Sequence, residues 1–158
     1  MIQGVNPLYE RFMREALKEA QKAYDMGEVP VGAVIVKDND IIARGHNLRE
    51  RDQNPILHAE IIAIHRAAWA VKSWRLTGCE IYVTIEPCPM CAGAMVQGRL
   101  DRLVFGARDP KSGCAGSLYD LVRDRRFNHR LEVIEGVLED ECSQIIKDFF
   151  RMKREQKL

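Results

Sequence analysis

Residues 58–98 read HAEIIAIHRAAWAVKSWRLTGCEIYVTIEPCPMCAGAMVQG, and the punctuation of this stretch decides the fold class. From His58 to about Lys72, Ile61, Ile62, Ile64, Ala68 and Val71 recur at helical spacing. Gly78 interrupts the pattern, and the β-prone run from about Glu80 to Thr84 reads as a short strand. A second short helix is expected from about Pro89 to Gln97, with proline at its first turn and Gly98 closing it. Helix, strand and helix in close succession are the unit of an α/β layered domain.

The flanks extend that reading. Asn6-Pro7 has the form of a helix start, an N-cap followed by proline. Leu8, Phe12, Ala16, Ala20 and Tyr24 then repeat every four residues, with Met13 and Leu17 beside them, up to Gly27. The apolar run Val31–Val36, the turn residues Asp38-Asn39-Asp40 and Ile41–Ala43 read as a hairpin. Leu103–Phe105 and Leu131–Glu135 are two further strands, and a basic terminal helix is expected from about Glu139, with Cys142, Ile145, Ile146, Phe149 and Met152 inward. The stretch from Lys111 to Asn128 carries no periodicity that places it. The whole is read as one domain, residues 1–158, with a mixed sheet and helices on its faces.

Composition excludes several classes. With 46% hydrophobic and 30% charged residues the chain has the balance of a globular protein, and no apolar run approaches the roughly 18 residues of a membrane span. Met1–Glu19 has no signal-peptide core, so the chain is read as cytoplasmic. Five cysteines, an odd number, argue against a disulfide framework. A net charge of +1 means that any nucleic-acid partner must meet a local patch. One candidate is the tail from Lys147 to Leu158, where five basic residues face two acids. Another is the cluster Arg123, Arg125, Arg126 and Arg130.

Two segments carry chemistry. Cys88 and Cys91 stand at a helix start, where free N–H groups favour thiolates. A redox pair needs only these two, a structural zinc four ligands, and a catalytic zinc three plus an open position. Cys79, Cys114 and Cys142 are scattered, and among the four histidines only His58 opens a helix. His65 lies about 10 Å further along that helix. Glu60, two residues beyond His58, is about 200° away around the helix axis, so the pair can share a site only at the helix end. The ordered combination of H-x-E, an interval of about 30 residues, and P-C-x-x-C is the known signature of zinc deaminases acting on bases. In such a site His58, Cys88 and Cys91 hold the metal, and Glu60 carries protons without being a ligand.

With those residues in place the sequence resembles the bacterial tRNA-specific adenosine deaminase family nearly end to end. The matching stretches include Glu28–Val34, His58–Ile61, Tyr82–Thr84, Glu86–Met95, Val104–Asp109, Asn128–Arg130 and Phe149–Arg151. The resemblance implies a cytidine-deaminase-like three-layer fold with a five-stranded mixed sheet, one zinc ion per chain, and a homodimer. It implies hydrolysis of the wobble adenosine to inosine in a tRNA anticodon stem-loop. It also assigns Asn47 to contact with the target nucleoside, Val29 to the base pocket and Asp109 to the RNA near the flipped nucleotide. Phe150 and Arg151 fall to neighbouring nucleotides and phosphates. Other readings of the same residues are a deaminase of a free base such as guanine, a non-enzymatic zinc or RNA-binding module, and a thiol redox protein.

Overall fold

The computed structural model describes residues 6–157; positions 1–5, part of the segment read for a signal core, and Leu158 of the basic tail lie outside the described residues. Nine elements follow one another: α1 (Pro7–Asp25), β1 (Gly32–Lys37), β2 (Asp40–His46), α2 (Ala59–Val71), β3 (Cys79–Ile85), α3 (Pro89–Gln97), β4 (Arg102–Ala107), β5 (Glu132–Ile134) and α4 (Glu139–Gln156). The Asn6 side chain caps α1 by accepting from the Leu8 amide at 3.0 Å. Asp38 and Asn39, both at positive φ, make the tight turn between β1 and β2.

The sheet order is β2-β1-β3-β4-β5. β1 pairs antiparallel with both β2 and β3, whereas β3, β4 and β5 run parallel. Alternate residues of the central strands feed two cores. Ala33, Ile35, Ile81, Val83, Leu103 and Phe105 face α2 and α3. Val34, Val36, Tyr82 and Val104 face the opposite layer, where Phe12 and Met13 of α1 and Cys142 of α4 pack. The three-layer mixed α/β arrangement expected from the sequence is present. Leu8 departs from its expected inward stripe: it sits at the exposed edge of α1. On α4, Cys142 and Phe149 are buried, while Ile145, Ile146 and Met152 are only half-buried. No helix among the described residues is long and apolar enough to cross a membrane.

One contact fixes where α2 begins. A Cβ added at Gly45 of β2 would lie 2.4 Å from the Ala59 carbonyl oxygen and 2.9 Å from the Ala63 nitrogen, both main-chain atoms of α2. The helix therefore rests directly on the strand, and only glycine permits it. Gly45→Ala is expected to push away the first turn of α2 and cost about 2 kcal/mol. At about 2–4 °C per kcal/mol for a chain of this size, the thermal midpoint falls by roughly 4–8 °C. A melt within a degree of the parent would show that α2 is not seated on Gly45.

Candidate metal centre and base pocket

The topology gathers five chain segments at one edge of the sheet. β1 is antiparallel to β3, so the approach to β1 (Val29, Val31) lies beside the carboxyl end of β3. The Gly32 amide donates to Thr84 Oγ1 at 3.2 Å, and the Asn47 amide to the Val31 carbonyl at 3.2 Å, tying the exit of β2 to the same edge. β3 runs out through Glu86 and Pro87 into α3, and β4 runs out into Asp109. A crevice outside the carboxyl ends of strands is where open α/β sheets bind ligands.

Two helix starts meet there. His58 is the N-cap of α2 and Cys88 the N-cap of α3, both with extended backbone and neither spending its side chain on a cap bond. His58 Nδ1 lies 3.5 Å from the sulfurs of both Cys88 and Cys91. All three ligand atoms lie within 4.8 Å of one another. A tetrahedral zinc ion with Zn–N near 2.0–2.1 Å and Zn–S near 2.3 Å requires an N···S separation of about 3.6 Å. Both observed separations match it, so the donor set fits zinc without rearrangement. No fourth protein ligand joins the group among the described residues.

The electrostatics of the cluster follow from its crowding. Hydrogen bonds from Cys91 and then His58 pull the Cys88 thiol down to about 4. The Cys91 thiol moves the other way, raised by its bond to Cys88 and by burial. Hydrogen bonding to Cys88 raises His58 against the opposing effect of burial. Burial pushes Glu60 up to about 7. Glu60 is 3% exposed, the first-turn acid of α2, and lines the pocket beside His58 and Cys88 without joining the ligand triad.

The pocket in front of this cluster has a volume of about 190 Å³. It is smaller than the roughly 300 Å³ at which drug-sized sites begin, a size for one base rather than a whole nucleotide. Val29, Val31, Ala59 and Ile85 supply apolar surface; Asn47, Arg49, Glu86, Asp109 and Ser112 supply polar groups. Asn47 is held by its own loop: its Nδ2 donates to the Val29 carbonyl at 3.3 Å and its Oδ1 accepts from the Arg49 amide at 3.1 Å. Asp109 caps a turn, accepting from the Lys111 and Ser112 amides and, at 2.6 Å, from the Ser112 hydroxyl, while still lining the pocket.

The tail residues lie elsewhere. Phe150 is exposed and packs edge-on against Phe149 at 5.4 Å. It lines a separate groove with Lys111, Ile146, Lys147, Lys153, Arg154 and Lys157. That groove adjoins the pocket through the 109–112 turn, since Lys111 belongs to one and Asp109 and Ser112 to the other. Arg151 is not among the groove's residues and is paired with Asp148 at 2.9 Å.

Sequence reasoning missed Arg49, Ser112, Ile85 and Glu86. Glu86 precedes Cys88 by two residues, a proximity that marks it in hindsight. Burial pushes its carboxyl up, but the Ser117 hydroxyl and the Asp109, Ser117 and Ala115 amides outweigh that and hold it below the ordinary carboxylate range.

Comparison with known proteins agrees with the geometry. The model of the MafB19-like deaminase family matches residues 9–154. A tRNA-specific adenosine deaminase of Bacillus subtilis is 55% identical over 148 residues, 94% of this chain and 92% of the relative. A solved structure from work on A-to-I editing by tRNA:A34 deaminases at the wobble position is 41% identical, with a TM-score of 0.82 over 85% of this chain and 98% of that one. A guanine deaminase from Bacillus subtilis is 37% identical, with a TM-score of 0.61 over 66% of each chain.

Proposed function

This chain belongs to the family of tRNA-specific adenosine deaminases, and we propose that it hydrolyses the wobble adenosine of a tRNA anticodon loop to inosine, with one zinc ion per chain. The observation that carries the reading is the meeting of two helix starts, which sets His58 Nδ1 3.5 Å from both cysteine sulfurs with buried Glu60 alongside. His58, Cys88 and Cys91 would hold the metal. When bound, zinc supplies a hydroxide nucleophile at neutral pH.

The residues of the chain account for the rest of the reaction. Water adds at C6 of adenine, ring nitrogen N1 gains a proton, and the C6–N6 bond breaks as ammonia leaves. Glu60 takes one proton from water and delivers it to N1, then takes the second from the new C6 hydroxyl and passes it to the departing amine, so the carboxylate is regenerated in each turnover. Burial keeps bulk water from competing for those protons. Val29, with Val31 and Ile85, gives the base an apolar slot. Asn47 and Asp109 edge the same pocket and would meet the nucleoside and its neighbour.

The partner follows from charge and access. A base in a stack hides C6, so it must be turned out into the pocket, and a loop already offers unstacked bases. Phe150 offers a stacking face inside a groove whose other polar residues, Lys111, Lys147, Lys153, Arg154 and Lys157, are all cationic. Arg151 stands on the adjoining helix surface, where a phosphate would have to displace Asp148. A homodimer belongs to the proposal, supported by exposed Trp69 and Trp74, which share a cleft with Ala68 at the carboxyl end of α2 and the residues just beyond it. Five unbridged cysteines suit a reducing compartment, and we place the reaction in the cytoplasm.

The deciding experiment offers zinc-loaded protein an anticodon stem-loop with a wobble adenosine, beside free guanine, adenosine and cytidine, and measures inosine and ammonia. Inosine in the stem-loop alone is expected. Reversing Lys147, Lys153 and Lys157 to glutamate should weaken stem-loop binding and flatten its salt dependence, by up to about 0.7 log unit per log unit of salt for each phosphate that the lysines had neutralised. Ammonia from guanine alone would move the assignment to the free-base deaminases, whose likeness at 37% identity makes them the specific rival.

A further inference from the structure

Two carboxylates buried beside the pocket take no part in the chemistry above. Glu28 is 1% and Glu86 2% exposed. Neither forms an ion pair among the described residues. A buried anion is costly unless it is hydrogen-bonded, and both are met chiefly by main-chain N–H groups. Glu28 Oε1 accepts from the Glu50 amide at 3.0 Å and its Oε2 from the Arg51 amide at 2.7 Å. Glu86 Oε1 accepts from the Asp109 amide at 3.0 Å and from the Ser117 hydroxyl. Its Oε2 accepts from the Ala115 and Ser117 amides, each at 3.0 Å.

The segments so held furnish four of the pocket's polar residues. Residues 47–51 carry Asn47 and Arg49; residues 109–117 carry Asp109 and Ser112. Neither segment has a helix or strand to fix it, and 109–117 has only an isolated bridge between Ala115 and Asp120. The second segment closes tightly on its anchor. A Cβ added at Gly113 would lie 2.3 Å from Glu86 Cδ, so the chain passes where no side chain fits. We propose, on the reading that this pocket takes the target nucleoside, that Glu28 and Glu86 are positioning residues, each folding one wall of the pocket around a buried carboxylate before the substrate arrives. Two acceptor oxygens on one rigid group can serve several amides at once. A glutamine offers one oxygen and an amino group, and the amino group confronts the N–H that the second oxygen served. A wall that is not pre-folded must be ordered by the RNA, at the expense of its binding.

The test compares Glu86→Gln and Glu28→Gln with the parent, as full-length zinc-loaded protein acting on the wobble-adenosine stem-loop, and follows amide hydrogen exchange of each wall. KM is expected to rise about tenfold in each variant, the effect of one missing hydrogen bond to a charged group. The value of kcat should stay within about threefold, since bound RNA re-orders the wall. Exchange should quicken at 113–117 in Glu86→Gln and at 49–52 in Glu28→Gln, each without the other and without change in β3. A role confined to global stability lowers the melting temperature and leaves both KM and the local exchange pattern unchanged, and that result overturns the proposal. Should Glu86→Gln fail to fold, Ser117→Ala removes one donor of four. Its KM should rise about twofold to threefold with faster exchange at 115–117, and no change in either also overturns the proposal. Failure of the parent to react with the stem-loop would instead remove the nucleoside reading, and the exchange pattern alone would then decide whether the carboxylates hold the walls.

Discussion

Glu60→Gln yields a folded, zinc-loaded protein whose kcat on the stem-loop falls by about 10³-fold, within the range that a missing general acid–base group costs. The substitution changes almost nothing but the proton. Glutamine fills the same volume, so the buried site at the start of α2 does not collapse. His58, Cys88 and Cys91 remain in place, and metal analysis should still find one zinc per chain. What disappears is a group able to accept a proton from water and release it to N1. Because that transfer is made only on the way to the transition state, kcat and kcat/KM should fall together while KM stays near the parent value. Zinc content and melting temperature measured on the same preparation separate this outcome from simple misfolding. Activity within a few-fold of the parent would remove Glu60 from the proton path and return it to the bland role of a first-turn acid favouring the helix dipole.

What the sequence discloses and what it hides divide along a physical line. Periodicity reports burial, so every element with a full apolar face was legible: the α1 stripe, the β1–β2 hairpin, and the helix and strand around the zinc signature all lie where the spacing put them. The ends of such stripes were less legible. Leu8 carries the spacing but lies at the helix edge, where the layer has ended. The H-x-E spacing foretold that this pair works at a helix end, because residues two apart cannot share a helix flank; the C-x-x-C pair was placed at a helix start by the proline between its cysteines. That the two ends converge is a tertiary fact, set by the antiparallel pairing of β1 with β3 and the parallel run of β3 with β4.

Residues 111–128 resisted reading for a related reason. Part of that segment is folded by Glu86, more than twenty positions earlier, and part by short-range pairs such as Arg123 with Asp120 and Arg126 with Asp124. A buried carboxylate bonded to main-chain amides leaves no period in the sequence, which is why Glu28 and Glu86, though they open two of the matching stretches, were given no role of their own. The tail shows the converse. Its net charge was visible, but which face each cation takes was not, and Arg151 lies outside the groove that its neighbour Phe150 lines.

Removing the metal should have the other large effect, and it reaches beyond turnover. α2 and α3 contribute the ligand groups from separate stretches of chain, His58 from one start and Cys88 and Cys91 from the other. An ion joining them would therefore tie two helices together as well as serve the reaction. A ligand that binds only the folded state adds about 4 kcal/mol when present at a thousand times its Kd. At about 2–4 °C per kcal/mol for a protein of this length, chelation should lower the parent's melting temperature by roughly 10 °C. Cys91→Ser should lose metal and activity together, and its melting temperature should then be indifferent to chelator. This second comparison separates metal loss from damage done by the substitution itself, because damage alone would leave the response to chelator intact. It also separates the metal reading from the redox one. A thiol pair working by oxidation would keep its function and its melting temperature under chelator and lose both the moment either cysteine was replaced, zinc or no zinc. The N···S separations already lean against that outcome, since a histidine nitrogen equidistant from two sulfurs is what a shared ion requires and what a disulfide has no use for.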